Sequence, residues 1–181
     1  MTSPPRVLIV PGLHDSGPAH WQTWLQARVA GALRVEQQDW HTPDLDRWSA
    51  RLTEVLTQQP PGPWIVVAHS FGCLALARHL LLHPDSPVQA ALLAAPAEPD
   101  KFGVSALLPH DRLGVRATLV LSDTDPWMSP GSARRWAGRW GARAVALGDV
   151  GHINSDSGFG PWPLAEQWVA RQQATPGLLA A

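Results

Sequence analysis

Short apolar runs alternate along this chain with longer stretches in which apolar residues recur every three to four positions. Residues 6–10 (RVLIV), 64–68 (WIVVA), 88–94, 116–121 (RATLVL) and 143–147 are apolar nearly throughout. That pattern predicts strands covered on both faces, since a half-wet strand would alternate apolar with polar. Residues 33–38 form a weaker strand of the same kind. Between the runs, Trp21, Trp24, Leu25 and Val29 share one helical face within residues 18–30. Leu45, Trp48, Leu52, Val55 and Leu56 do the same as far as Thr57, behind Asp44 as N-cap. Helices are also predicted over 70–82, ending at His83-Pro84, and over 130–140 and 163–172. The segment QPPGP at 59–63 breaks the chain, 95–115 reads as irregular and 148–161 as loop. The tail from Ala174 is expected to be disordered, and no internal repeat is found.

Strands alternating with helices predict an α/β fold, a three-layer, doubly wound and mostly parallel sheet of about six strands. With 181 residues, one domain spanning 1–181 is expected. Chemistry in such sheets collects at the carboxyl ends of the strands. The loops to read are therefore those beginning near Pro11, Asp39, His69, Ala95, Ser122 and Gly148.

Composition narrows the functions. A formal net charge of -1 lacks the clustered basic charge that phosphate contacts need, so no nucleic-acid partner is expected. The apolar runs fall far short of the ~20 residues of a membrane helix. The N-terminus has no basic segment leading into a long apolar one, so the expectation is a cytoplasmic protein with no membrane partner. Cys73 is the single cysteine, which excludes an internal disulfide and a Cys-rich zinc site. It is expected to be buried and inert. Ten tryptophans with no tyrosine read mainly as core anchors whose indole N–H groups find acceptors. His79 and His83 have the i, i+4 spacing of a metal pair, but no acidic or thiol ligand lies nearby to complete a site. No metal or organic cofactor is expected.

The segment Ala68-His69-Ser70-Phe71-Gly72 joins the strongest strand to a helix and matches the nucleophile-elbow pattern G-x-S-x-G, with Ala68 in the first glycine position. A sharp strand-to-helix turn forces the serine into a strained conformation that exposes its hydroxyl. The residues two before and two after must be small, because side chains there would collide across the turn. The helix also points its N-terminal N–H groups at any charge developing beside Ser70. The plainer alternative is an ordinary turn with Ser70 as N-cap.

A serine hydroxyl needs a base to take its proton. In this architecture the acid and the base follow the serine in chain order on later strand-end loops. His152 lies after the last strand, behind Gly151. His14, His20 and His41 precede the elbow, His69 adjoins the serine and should point away, and His110 follows no strand. Position alone leaves Asp123, Asp125 and Asp149 as candidate acids. Asp149 is only three residues before His152 in the same loop, a place that suits bracing the loop better than reaching the imidazole's far nitrogen. Pro126 biases Asp125 toward an extended backbone that can hold its carboxylate over the sheet end. An oxyanion needs two N–H donors, expected from Phe71 and from Leu13 in the loop after the first strand, where Gly12 permits close approach.

These residues resemble a family. RVLIVPG, SGPAHWQ at 16–22, AHSFG, SDTDPW at 122–127 and GHINSDSGFGPWP at 151–163 look like the small serine hydrolases of the retinoblastoma-binding-protein-nine type, within the α/β-hydrolase superfamily. The resemblance covers nearly the whole chain. It implies a six-stranded, lidless α/β-hydrolase fold with Ser70 as nucleophile, Asp125 as acid and His152 as base. Phe102, Trp127, Phe159 and Trp162 are candidates, with Phe71, for an apolar substrate wall. The expected partner is a small-molecule ester or amide. The rival reading is a protein-binding module that keeps the fold with little or no turnover. The sequence leaves the oligomeric state open.

Overall fold

A computed structural model describes residues 4–174. Six parallel strands form one sheet in the order β2-β1-β3-β4-β5-β6. They are β1 (Arg6–Val10), β2 (Leu33–Arg34), β3 (Trp64–His69), β4 (Val88–Ala94), β5 (Arg116–Leu121) and β6 (Arg143–Ala146). The helices are α1 (Trp21–Arg28), α2 (Leu45–Thr57), α3 (Phe71–Leu82), α4 (Pro130–Trp140) and α5 (Pro163–Ala174). The strand order reverses direction beside β1, which is where doubly wound sheets open a crevice for ligands.

The continuous apolar runs are explained by the two faces. Leu8, Val10, Val66, Ala68, Leu93 and Leu119 point into a core shared with α2, α3 and α4. Val7, Ile9, Ile65, Val67, Leu92 and Val120 point into a second core under α1 and α5. Successive residues thus enter different cores, which is why the middles of the central strands are apolar at consecutive positions. Burying each such side chain contributes roughly 1.5–3 kcal/mol. Trp21, Trp48, Trp64 and Trp140 are among the largest fully buried side chains. The indoles of Trp21, Trp48, Trp140 and Trp168 donate to Ile153 O, Thr42 O, Pro109 O and Thr118 Oγ1. Seven of the ten tryptophans are buried as expected, and these four have an acceptor for the indole N–H.

Several details differ from the sequence reading, most of them by one or two residues at element ends. Helix α1 starts at Trp21 because His20, not a residue near Pro18, caps it, its Nδ1 accepting from Gln22 N. Strand β2 is two residues long, since after Val35 N bonds Ile9 O the chain leaves the sheet edge. The irregular stretch 95–115 holds two single turns of 3-10 helix, Pro99–Phe102 and Ser105–Leu107. Ala174 ends α5, and the rest of the expected disordered tail lies outside the described residues. No helix of the described residues is long and apolar enough to cross a membrane.

Candidate active site

The turn from β3 into α3 has no slack. Ser70 sits at φ 53°, ψ −124°, a conformation rarely adopted by a residue with a side chain. Two glycines make the turn possible. A Cβ on Gly72 would lie 2.3 Å from Pro11 O and 2.5 Å from Val10 O. A Cβ on Gly12 would lie 2.7 Å from Ser70 Cβ. The first turn of α3 therefore rests directly on the backbone leaving β1. Ala68 is fully buried, so the extra methyl relative to the pattern's first glycine is accommodated.

The same packing seats Gly12, the chain neighbour of Leu13, against Ser70 and beside Phe71 N. Phe71 N is the first amide of α3, with no intrahelical acceptor, and the helix dipole adds partial positive charge there. The loop holding Leu13 is tied down by His14 N donating to Trp40 O and Asp15 N to Gly12 O. Arg34 pairs with Asp15 at 3.1 Å. Gln22, fully buried, bridges the carboxyl ends of β1 and β3 by donating to Val10 O and Val67 O.

His152 reaches the serine from 82 positions away. Its Nε2 lies 2.9 Å from Ser70 Oγ. Its Nδ1 lies 2.9 and 3.0 Å from the two oxygens of Asp125. A carboxylate can only accept, so Nδ1 carries the proton and Nε2 offers its lone pair to the hydroxyl. The Asp125 side chain is 3% exposed, and it also accepts from Trp127 N. Asp149 accepts from Thr124 Oγ1 at 2.5 Å, bracing the loop. Asp123 is half exposed, 4.0 Å from Arg134. The two loops are stitched together: Ser122 Oγ donates to Gly148 O and accepts from Val150 N, while Thr124 Oγ1 accepts from Gly151 N.

Behind His152 stand two histidines that sequence reasoning set aside. His69 Nε2 donates to His152 O at 2.9 Å, and the His69 ring lies 4.9 Å from that of His152. Burial, reinforced by His152 and His20, pushes the His69 pKa well below the ordinary histidine value. His20 is lowered to about 4, first by burial and then by Arg34 and His152. Both are therefore neutral near pH 7. The signal for His20 and Gln22 was present in the SGPAHWQ motif, but nothing in the motif says what they touch.

Phe102 and Trp127 form an aromatic wall, and Phe71, expected to share it, is instead fully buried and backs it from the core. Phe71 and Phe102 meet at 5.1 Å, Phe102 and Trp127 stack at 6.4 Å, and Trp127 lies 6.2 Å from the His152 ring. Trp127 is 45% exposed, with the Lys101 ammonium 5.7 Å from its ring centre. Phe159 and Trp162 do not join this wall, contrary to expectation. Trp162 is buried in the second core against Trp21, and Phe159 leans on Trp162 at 5.6 Å. An aromatic residue in a loop does not reveal from sequence which side of the sheet it covers.

The remaining candidates lie elsewhere. Cys73 is buried, its thiol pushed well up by burial. His79 is buried rather than solvated, bonded to Thr53 Oγ1 and Ser86 Oγ. Among the described residues, no group of three His, Cys, Asp or Glu is arranged to hold a metal ion. A concavity of about 850 Å³, lined by Gly62, Pro87, Arg112 and Arg143 among others, sits at the amino ends of the strands, away from Ser70.

Residues 7–171 match the model of the family described as serine hydrolase. A structure assigned as a YdeN-like hydrolase from Pectobacterium atrosepticum is 33% identical, with a TM-score of 0.88 over 94% of this chain and 91% of that one. The ydeN gene product of Bacillus subtilis is 20% identical, with a TM-score of 0.78 over 94% and 100%. An α/β-superfamily hydrolase from Xanthomonas campestris is 24% identical, with a TM-score of 0.63 over 94% and 96%. The last two likenesses concern the fold alone. No curated protein sequence matches the chain.

Proposed function

We infer, from the premise that this chain belongs to the serine hydrolase family, that it cleaves small to medium carboxylic esters or activated amides through an acyl-enzyme on Ser70. The observation that carries this reading is the hydrogen-bonded line Ser70 Oγ, His152 Nε2, His152 Nδ1, Asp125, with both links near 2.9 Å. In the first step Ser70 Oγ attacks the substrate carbonyl while His152 Nε2 takes the hydroxyl proton. Asp125 holds the ring in the right tautomer and stabilises the imidazolium that forms. The N–H groups of Leu13 and Phe71 receive the oxyanion. His152 then gives its proton to the leaving oxygen or nitrogen as the acyl bond breaks. Water, deprotonated by the same nitrogen, attacks the acyl-serine, and His152 passes that proton to Ser70 Oγ as the ester bond breaks and the acid leaves. Every proton moves through protein groups, and the mechanism requires no cofactor.

Phe102 and the half-exposed Trp127 supply an apolar surface for one arm of the substrate. On this reading the protein is a single catalytic domain of the retinoblastoma-binding-protein-nine kind acting in the cytoplasm. A panel of p-nitrophenyl esters and aminoacyl amides tests it. Wild-type turnover of short esters is expected, and Ser70→Ala should reduce it on the order of 10⁴-fold or more. Equal turnover by the two proteins would overturn the reading.

A further inference from the structure

The peptide that carries His152 is itself strained. Ile153, a β-branched residue, sits at φ 49°, in the left-handed region that such side chains avoid. Strain of this kind persists only where the surroundings over-determine the backbone. Here the determinants are two consecutive carbonyls and two side-chain donors. His69 Nε2 donates to His152 O at 2.9 Å, and Trp21 Nε1 donates to Ile153 O at 2.8 Å. The donors come from different elements, the end of β3 and the start of α1. Both are buried, Trp21 completely, so water does not compete for the carbonyls. The two donor rings also brace each other edge to face at 6.1 Å.

We propose that His69 and Trp21 are positioning residues for the general base, a two-point clamp that sets where the His152 imidazole stands relative to Ser70. The proposal rests on the acyl-transfer reading above. His69 is joined by a peptide bond to Ser70, so its hydrogen bond ties the base's own carbonyl to the nucleophile's neighbour. The separation of nucleophile and base is then fixed across two covalent links and one hydrogen bond, not across the length of two loops.

The charge state suits this role. A carbonyl can only accept, so His69 carries its proton on Nε2. His20 accepts from Gln22 N through Nδ1, which places its proton on Nε2 as well. Burial holds both rings neutral. A charged ring at 69 would repel the imidazolium that His152 becomes during the reaction. The other charges facing this cluster are Arg34, which acts on His20, and the Asp125 carboxylate bonded to His152.

A clamp on the base acts in the transition state more than in substrate binding, because the aromatic wall belongs to other residues. Steady-state kinetics on a p-nitrophenyl ester should therefore separate kcat from KM. His69→Phe fills the space without the donor and should lower kcat about 10- to 100-fold with KM changed less than about twofold. His69→Gln returns an N–H donor near the Nε2 position and should recover kcat to within about fivefold of wild type. Trp21→Phe keeps a ring and loses only the N–H, and should lower kcat about 3- to 10-fold, again at constant KM. A folded His69→Phe protein with wild-type kcat would overturn the clamp, as would a folded His69→Gln protein no better than His69→Phe. If the His69 variants fail to fold, Trp21→Phe decides: a lowered kcat at constant KM supports the clamp, and an unchanged kcat overturns it. Ser70→Ala, run alongside, separates the two claims. Full activity in Ser70→Ala sinks the acyl-transfer reading, whereas inactive Ser70→Ala beside a fully active His69→Phe sinks only the clamp.

Discussion

The two halves of the site are held by different forces. The serine half is local and steric: Ser70, Gly72 and Gly12 are packed backbone against backbone with no room for one more carbon. The histidine half is long-range and polar: Asp125 and His152 sit on separate loops stitched by the hydroxyls of Ser122 and Thr124 and by donors from His69 and Trp21. Substitutions at Gly12 and Gly72 in the first half should therefore act on folding. Those in the second should act on turnover while leaving the fold in place.

The largest effect should separate the two aspartates of the acid loop. Asp125→Asn keeps the shape but removes the charge that fixes the tautomer of His152, and should cost roughly 10²- to 10⁴-fold in kcat. Asp123→Asn should cost less than about tenfold, because that carboxylate is half exposed and faces Arg134. Initial rates on one ester, with circular dichroism to confirm folding, make the comparison. The reverse order of damage would move the acid to Asp123.

Gly72→Ala probes the steric half. Its Cβ meets carbonyl oxygens that cannot swing away as a side chain would. A loss of about 3 kcal/mol in unfolding free energy by urea denaturation is expected, the upper end for overpacking. A variant as stable as wild type would show that the elbow has slack.

The alternation of strands and helices was legible because both faces of the sheet are covered, which leaves apolar runs at the central strands with little ambiguity. The elbow was legible for the same local reason: its constraints lie within five residues. The polar half was only partly so. Three aspartates near strand ends satisfied the spacing, and Pro126 and the family resemblance, more than any pattern, singled out Asp125. His69 was set aside as pointing away from the serine. It does lie behind the reacting atoms, yet its partner is a carbonyl 83 positions along the chain, which no local pattern encodes. The early end of β2 and the inward turn of Trp162 were equally invisible, since both depend on what the neighbouring element covers.

The last comparison is the pH dependence of stability. His20 and His79 are each lowered to about 4 from an ordinary 6.5, mainly by burial, and His69 lies well below. Between pH 6.5 and 4 the unfolded chain binds protons at these histidines that the native protein refuses, so stability is fully present above pH 6.5 and falls as pH drops. Each contributes a slope of up to about 1.4 kcal/mol per pH unit. Urea midpoints from pH 6.5 to 4.5 measure it. His79→Gln, at the end of the sheet away from the site, should reduce the slope by about one proton, and an unchanged slope would show that His79 is not held neutral.

The central claim is that one serine carries the acyl group, and covalent mapping tests it most directly. The wild-type protein is treated with a fluorophosphonate ester, residual esterase activity is followed, and the modified peptide is located by mass spectrometry. The account predicts one adduct per chain, on Ser70, with activity lost in proportion to labelling and no adduct on Ser70→Ala. An adduct at another residue, or esterase activity that survives complete labelling of Ser70, would contradict it.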